Sequence, residues 1–265
     1  MASSSSTYCE FSPGPVLAES VECFWTGTSA RAAGTAQHRV LPDGCMDLLF
    51  DFGATPDRRV SVIGTMSRAH TFVTTGPVDY FGIRFRPGGL VGFVALDAAE
   101  LTDERADLAC FWGRRAHEIW HRLAEASAVA RVALLQDILG ARGPAPMDPF
   151  VRHCVARMEA SRGELRIAVL ESSTGLSARQ LERKFARQLG VSLKAFARIV
   201  RFKGVVAMAE AGRGPPDWAR LAHDFGFADQ SHLVREFKAL SGLSPTRLME
   251  HPEEPAAHVG FLQDA

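Results

Sequence analysis

Two stretches decide the fold: LSARQLERKFARQLGVSLKAF at residues 176–196 and FADQSHLVREFKALSGLSPTRL at residues 227–248. The same residue types recur in them at a constant separation of 52 positions. The matching pairs are Leu181 and Leu233, Arg183 and Arg235, Phe185 and Phe237, Gly190 and Gly242, and Ser192 and Ser244. Because repetition at one spacing indicates repeated structural units, we expect two copies of one helical unit.

The first copy carries the local signals of a helix-turn-helix. Ser177 and Gln180 fit a capping box at a helix start, and apolar residues then recur every four positions on one face. A predicted helix over 165–172 and a turn at Gly175 precede this capped helix. In a helix-turn-helix the second helix enters the major groove of DNA.

The second copy repeats the plan. Asp217 is predicted to cap a helix that contains Trp218 and Leu221, and Gly226 forms the turn before the second capped helix. Between the copies, residues 196–211 mix apolar and basic side chains in a helical pattern. We expect this segment to be a helix that connects the two units and fixes them relative to each other.

Together these residues resemble a known family. The motifs GLSARQLERKF and GFADQSHLVREFKALSGLSPTRL are similar to the C-terminal DNA-binding domain of AraC/XylS-type transcription regulators, over roughly residues 160–249. The segments VLPDGCMDLLFDFG, GIRFRPGG and ELTDERADLACFWG also resemble an N-terminal, cupin-like sensor region found in one branch of that family. The resemblance implies a regulator that binds double-stranded DNA, with RNA polymerase as a partner if it is an activator.

Two positions in the first copy depart from the family pattern. Glu171 stands where the family usually has a small residue, whereas Ala222 keeps that residue type in the second copy. Leu193 replaces a proline that the second copy retains as Pro245. These departures predict that the first unit packs less tightly and contacts DNA less firmly than the second.

The N-terminal part has the pattern of a small β-barrel followed by helices. Pro42, Asp43 and Gly44 lie between apolar runs and predict a hairpin turn. Phe81 and Phe85 lie in an alternating segment with the period of a half-buried strand. From residue 101 onward the apolar spacing becomes helical.

The fold class expected from these patterns is α+β with two domains. A Pro- and Gly-rich segment before residue 150 is the candidate linker. The predicted division is a β-barrel sensor domain with C-terminal helices at 1–140, a linker at 141–149, an all-α double helix-turn-helix domain at 150–250 and an acidic tail at 251–265.

Charge divides along the same boundary. Residues 1–150 hold 13 basic and 17 acidic side chains, for a net charge of −4, whereas residues 151–250 hold 17 and 10, for +7. A basic domain beside an acidic one indicates that the C-terminal part meets a polyanion. Charged residues or glycine interrupt every apolar stretch before the ~18 residues that a membrane span needs, and the start lacks a signal-peptide pattern, so we expect a cytoplasmic protein without membrane contact.

Polar residues on the exposed faces of the two second helices are the candidate DNA contacts. Such side chains distinguish base edges by hydrogen bonds, while basic residues nearby bind phosphate. The predicted base-contacting residues are Ala178, Arg179, Glu182, Arg183, Gln230, Ser231, His232 and Arg235. The predicted phosphate-contacting residues are Lys194, Arg198, Arg201, Lys203, Lys238 and Arg247.

The N-terminal domain is predicted to bind a small, mainly apolar or aromatic effector. The predicted pocket residues are Trp25, His38, Phe72, Tyr80, Phe81 and Arg84. An alternative for the domain is dimerisation, because residues 113–139 carry more apolar side chains than one small barrel face obviously requires. Packing of those side chains against the barrel itself is the competing interpretation. Effector identity and the sign of regulation stay open.

Catalytic and metal chemistry have no clear signal. The five cysteines, Cys9, Cys23, Cys45, Cys110 and Cys154, are scattered without a C-x-x-C pair, which argues against a disulfide framework and a four-cysteine zinc site. A DNA-repair methyl acceptor fused to the same DNA-binding domain is the alternative function, and it would need such a cluster. No His-x-His occurs in residues 1–150 and no G-x-S-x-G elbow occurs, so we expect no metal, no cofactor and no enzymatic activity.

Overall fold

The N-terminal part of the chain is rich in strands and the C-terminal part is helical. A computed structural model describes residues 6–29, 35–53, 59–143, 145–212 and 214–250, so the predicted tail at 251–265 lies outside the described residues. The strands are β1 (Ser6–Phe11), β2 (Val21–Ser29), β3 (Thr35–Val40), β4 (Met46–Asp51), β5 (Val60–Ile63), β6 (His70–Thr75), β7 (Val78–Phe85) and β8 (Arg105–Asp107).

Two antiparallel sheets form the β-rich domain. Six strands run in the order β1-β2-β7-β4-β5-β8, and β3 pairs separately with β6. The sheets do not close into a barrel, so the cupin-like description holds in a loose sense. The hairpin predicted at Pro42 to Gly44 is wrong, because β3 and β4 belong to different sheets. The turn residues instead form the crossing between the two sheets.

The large sheet has two faces that differ in what covers them. On β2, β4 and β7 alternate residues enter a large core that includes Phe24, Phe81 and Leu135. The other residues face β3 and β6 and pack with Trp25 and Tyr80. Because strand side chains alternate between faces, residues adjacent in sequence lie in different cores.

Helices from the end of the N-terminal part cover the first face. These helices are α1 (Ala109–Trp112), α2 (Arg114–Ala124) and α3 (Ala128–Arg142). Ile119 and Leu123 on α2, with Val132 and Leu135 on α3, are all buried in the large core. These four apolar side chains therefore pack inside the chain, as in the competing interpretation, whereas Val129 on α3 is 70% exposed, and dimerisation stays a prediction.

Within the described residues, seven further helices make the C-terminal domain. They are α4 (Pro149–Ala160), α5 (Ile167–Thr174), α6 (Ala178–Leu189), α7 (Leu193–Ala211), α8 (Trp218–Asp224), α9 (Gln230–Ser241) and α10 (Pro245–Glu250). Helices α5 and α6 form the first module, and α8 and α9 form the second. The capping box of Ser177 and Gln180 is present at the start of α6, and at the start of α9 the Asp229 side chain accepts a hydrogen bond from the His232 N–H.

The connecting helix α7 is the spine on which both modules pack. Phe185 of α6 packs edge-on against Phe196 of α7 at a ring-centroid distance of 5.5 Å. Phe237 of α9 occupies the repeated position and packs against Phe202, also on α7, at 4.8 Å. Each module therefore presents one equivalent phenylalanine to a different turn of the same helix.

The two departures from the family pattern have structural explanations. The Glu171 carboxylate accepts a hydrogen bond from the Ala178 backbone N–H at 2.7 Å, which satisfies a free donor at the start of α6. The backbone N–H of Leu193 donates to the Glu182 carboxylate at 3.1 Å. A proline has no such N–H to donate. These bonds stabilise the first module where looser packing was expected.

Candidate nucleic-acid interface

The starts of α6 and α9 present polar side chains to solvent. Arg179 and Arg183 on α6 are exposed, as are Gln230, Ser231 and Arg235 on α9. The caps Ser177 and Asp229 orient the first turns of these helices. Their positions leave the guanidinium and amide groups available for hydrogen bonds to a nucleic acid.

Three other predicted base contacts are less accessible. Ala178 and His232 are half-buried, and Nδ1 of His232 accepts a hydrogen bond from Ala228 N–H at 3.2 Å. Glu182 is also half-buried and is bonded to the Leu193 N–H. The Glu182 carboxylate thus stabilises the start of α7, and its assignment as a base contact stays a prediction.

The six predicted phosphate contacts fall into two groups. Three of them, Lys194, Lys238 and Arg247, are exposed. They lie on or just after α6 and α9, which are the recognition helices, meaning the second helix of each module. Arg198, Arg201 and Lys203 are half-buried and have partners inside the chain. Only the exposed group matches the expectation of free cationic side chains near the DNA.

Arg198 and Arg201 of α7 bond to other segments of the C-terminal domain. Nε of Arg198 donates to the Glu236 carboxylate of α9 at 2.6 Å. Arg201 donates to the carbonyl of Gly163 at 3.0 Å and to that of Gly226 at 3.4 Å. These hydrogen bonds give both arginines internal links, and their assignment as phosphate contacts stays a prediction.

Lys203 belongs to the contact between the two domains. Its Nζ donates to the backbone carbonyl of Asp43 in the crossing between the sheets at 3.2 Å. Next to this bond, Gly44 has φ +82°, and a Cβ at that position would lie 2.7 Å from the Phe196 ring. Leu41 packs in the core of the second module. This places the crossing segment 41–44 directly on α7.

A buried ionic group connects this crossing to the interior between the sheets. Arg84, 1% exposed, lies with Nε 3.4 Å from Asp43 Oδ2 and 3.7 Å from Asp47 Oδ1. The indole Nε1 of Trp25 donates to Asp47 Oδ1 at 3.1 Å. Gly82 makes room for this indole, because a Cβ there would lie 1.9 Å from the Trp25 ring.

Burial shapes the chemistry of this group. It raises the pKa of Asp47 to about 6, although the neighbouring Arg84 favours the ionised form. Within the described part of the chain, Nε and Nη1 of Arg84 are buried without a hydrogen bond. Buried polar atoms usually have partners, so this guanidinium has capacity for a further acceptor.

From the sequence, an acidic residue such as Asp47 next to the apolar Leu48 would be expected to face solvent, but Asp47 is 7% exposed. The alternation along β4 contained the signal, since Asp47 shares a face with the buried Leu49. Its role in the interior could have been recognised from that parity and from the arginine on the neighbouring strand.

Most of the predicted pocket residues lie together between the two sheets. Trp25, Phe72 and Tyr80 pack in one cluster between the sheets. On β3, His38 is buried opposite Phe72 of β6 in the strand register, and its Nε2 lies 2.7 Å from Thr74 Oγ1. Phe81 packs in the large core on the other face and does not join this group.

The remaining chemical groups are dispersed. All five cysteines are free, with Cys9 and Cys110 exposed and the others buried. Among the described residues no group of three or more His, Cys, Asp or Glu side chains could hold a metal ion. Within the same ranges no helix has the length and apolar character needed to cross a membrane.

Comparisons with known proteins identify both regions. Residues 9–107 match a family described as a domain of unknown function (DUF6597), and residues 170–251 match one described as a helix-turn-helix domain. No curated protein matches the chain.

Among solved structures, the chain is similar in outline to ToxT from Vibrio cholerae. One ToxT structure is 10% identical, covers 86% of this chain and 98% of ToxT, and has a TM-score of 0.45. ToxT bound to (E)-4-(8-methylnaphthalen-1-yl)but-3-enoic acid gives the same identity and coverage with a TM-score of 0.46. Unsaturated fatty acid bound ToxT is 11% identical over 85% of this chain and 94% of ToxT, with a TM-score of 0.43. With TM-scores below 0.5, these likenesses support no conclusion about the site or its ligand.

Proposed function

We propose that the chain is an AraC-type transcription regulator that reads operator DNA with the exposed starts of α6 and α9, because residues 170–251 match a helix-turn-helix domain. As a DNA-binding regulator it acts where the chromosome is, in the cytoplasm, and it acts without catalysing a reaction. The sign of regulation depends on where the operator lies relative to the promoter.

One observation carries this proposal. Arg183 and Arg235 stand at the same position of the repeat, and both side chains are exposed on the second helix of their module. Arginine bonds guanine through two parallel N–H groups, and such pairs discriminate against wrong bases. Two equivalent arginines on two equivalent helices fit a reader of two half-sites.

Neighbouring side chains complete the proposed interface. Arg179 adds a donor on α6, while Gln230, Ser231 and the half-buried His232 add donors and acceptors on α9, and Ala178 can contact a thymine methyl group. Lys194, Lys238 and Arg247 supply phosphate contacts, which position the protein and make its affinity depend on salt.

The test begins with a duplex that the full chain selects from a random-sequence pool. We expect Arg235→Ala and Arg183→Ala each to weaken binding of that duplex by about 1–3 kcal/mol and to relax the preference at one base position. Arg122→Ala is the matched control, because Arg122 is exposed on α2 in the N-terminal domain. Unchanged specific affinity in Arg235→Ala would contradict the assignment of α9 as a recognition helix.

A second proposal concerns the interior between the sheets. We infer that a small molecule with a hydrogen-bond acceptor binds there, against Trp25, Phe72 and Tyr80 and with its acceptor on Arg84. The support is the buried guanidinium of Arg84, whose Nε and Nη1 have no hydrogen bond within the described ranges. Apolar walls with a few placed polar groups are typical of ligand sites.

Such binding would reach the DNA-binding domain by a short path. Arg84 lies beside Asp43, and the backbone of Asp43 accepts the Lys203 hydrogen bond on α7. A ligand acceptor that competes for Arg84 would weaken its pairing with Asp43 and favour a different position of the crossing. A ligand regulates only if it distinguishes two such arrangements.

The test is a thermal-shift screen of metabolites on the full chain, combined with DNA affinity in their presence. A compound at 100 times its Kd stabilises the fold by about 2.7 kcal/mol. Arg84→Met should lose the response to a positive compound. If no metabolite in the screen changes the melting temperature or the DNA affinity of the full chain, the N-terminal domain is better interpreted as a dimerisation or docking module.

Two further partners stay predictions. Homodimerisation would have to use side chains other than Ile119, Leu123, Val132 and Leu135, since all four are buried in the chain. Sedimentation of the full chain at tens of micromolar tests it. RNA polymerase is a partner only if the protein activates transcription, which an in vitro transcription assay on the selected operator measures.

A further inference from the structure

The N-terminal domain contacts the C-terminal ends of both recognition helices. The Thr102 hydroxyl donates a hydrogen bond to the carbonyl of Gly190, the residue that ends α6. The backbone N–H of Ala69 donates to the carbonyl of Leu240 in the last turn of α9 at 2.6 Å. Carbonyls in the last turn of a helix have no partner within the helix, so these two donors satisfy acceptors that would otherwise need water.

These two contacts come from neighbouring segments that one side chain joins. Asp103 follows Thr102, and its Oδ1 accepts from the Ser67 N–H at 2.7 Å while its Oδ2 accepts from the Ser67 hydroxyl at 2.6 Å. Asp103 Oδ1 also lies 3.1 Å from His70 Nε2. Ala69 lies between Ser67 and His70. The Asp103 carboxylate therefore bonds both sides of the residue that docks on α9.

The backbone at Asp103 adopts a conformation that the side-chain bonds must hold. Its φ is +60°, a left-handed conformation that costs a residue other than glycine free energy unless the surroundings enforce it. The backbone N–H of Asp103 donates to the carbonyl of Thr65 at 3.1 Å, which adds a fourth polar contact between the two segments. We call Asp103 with Ser67 and His70 the Asp103 clasp.

Within the C-terminal domain, the described links between the modules run through α7. Both modules pack on α7, and Arg201 bonds Gly163 on one side and Gly226 on the other. The contacts at Gly190 and Leu240 are at the ends of α6 and α9 and belong to a different part of the chain. A link at the helix ends restricts rotation of one module relative to the other about α7.

We propose that Asp103 is a positioning residue that sets the relative placement of α6 and α9, and with it the half-site spacing that the protein accepts. This inference rests on the proposed function, because it assumes that both helices read DNA. The clasp touches no DNA, so it acts through Thr102 on the first module and through Ala69 on the second. Its loss should widen the range of accepted spacings and should leave base preference unchanged.

The experiment uses the full chain and the duplex it selects from a random-sequence pool, with zero, one, two or five base pairs inserted between the two protected segments. Inserting two base pairs rotates one half-site by about 70°, so we expect wild-type affinity to fall at least about tenfold. Asp103→Gly keeps the left-handed backbone and removes all carboxylate bonds. For it we expect a fall of no more than about threefold on the same insertion.

Two further variants separate positioning from a general loss of structure. Asp103→Asn tolerates the same backbone and retains an acceptor for Ser67, so it should restore most of the wild-type spacing dependence. Thr102→Val removes the hydroxyl at Gly190 without touching the carboxylate and should relax spacing like Asp103→Gly. Asp137→Asn is the control, because Asp137 is an exposed acid on α3.

The outcomes distinguish this inference from the function it rests on. If Asp103→Gly and Thr102→Val both keep the wild-type spacing dependence, the positioning role is overturned while the two-site reader stands. If the wild type selects no duplex, or protects one short segment that insertions do not affect, the proposed function itself fails. Variants that bind the uninterrupted duplex with the wild-type base preference are folded well enough for the comparison.

Discussion

The ammonium group of Lys203 on α7 donates a hydrogen bond to the backbone carbonyl of Asp43, which lies 160 positions earlier in the chain. The Asp43 carboxylate lies beside Arg84 of the sheet interior, so one residue contacts both the interior and the connecting helix. Asp43 also accepts the Cys45 N–H at 2.8 Å, which fixes the turn in one shape. This geometry gives Lys203 a role at the domain contact.

Replacement of Lys203 should therefore change the domain contact and not the salt dependence of DNA binding. We expect Lys203→Met to leave the slope of log affinity against log salt unchanged, because the side chain neutralises no phosphate. The matched variant Lys194→Met removes an exposed lysine and should reduce that slope by about one. Fluorescence anisotropy titrations at several salt concentrations measure both slopes. An equal reduction in Lys203→Met would return this lysine to the DNA interface.

Glu182 and Leu193 should be energetically coupled. Glu182→Ala removes the acceptor of the Leu193 N–H, and loss of a helix cap typically costs about 0.5–2 kcal/mol. Leu193→Pro removes the donor, so Glu182→Ala should cost little in that background. The second copy lacks both the carboxylate and the N–H donor, since Val234 and Pro245 stand at the repeated positions. A double-mutant cycle by urea denaturation measures the coupling, and additive costs would contradict it.

Asp47 should make stability depend on pH in a predictable direction. Its pKa in the folded protein is about 6, above the ordinary value of 3.8, so the folded state holds this proton more tightly than the unfolded state does. The resulting stabilisation is fully present below pH 3.8 and is lost as pH rises through 6. As the pH rises from 4 to 6, the melting temperature of the wild type should therefore fall relative to that of Asp47→Asn. A flat difference would mean that Asp47 is ionised throughout.

Arg201 should contribute to stability and not to phosphate binding. Its guanidinium bonds two backbone carbonyls and lies over the Phe227 ring at 5.1 Å. Arg201→Ala should lower the free energy of unfolding by about 1–3 kcal/mol, since it removes the donor to the partly buried Gly163 carbonyl and the contact with the Phe227 ring. Calorimetry checks this value, with Arg247→Ala as the exposed control. An unchanged melting temperature with a reduced salt slope would be the contrary result.

The DNA-binding domain was the most predictable part, because its signals are local. The capping box at Ser177 and the helix that it starts were predicted and are confirmed. The role of Lys203 was missed, because the sequence pattern of a basic residue on a helix surface is the same whether the residue contacts DNA or another domain. The hairpin at Asp43 was wrongly predicted because an Asp-Gly turn between two strands does not determine that the strands pair with each other, and here they belong to different sheets.

The sequence by itself determined the two repeated helical modules, their caps, the connecting helix and the apolar face of each element. These properties depend on residues within one or two helical turns, whose spacing is fixed by backbone geometry. Only the tertiary structure decided that Lys203, Arg198 and Arg201 serve internal contacts, and that Asp103 joins the segments that dock on α6 and α9. Those roles depend on which distant segments meet, and a single side chain's type does not specify its partner when the two lie more than a hundred residues apart, as Lys203 and Asp43 do.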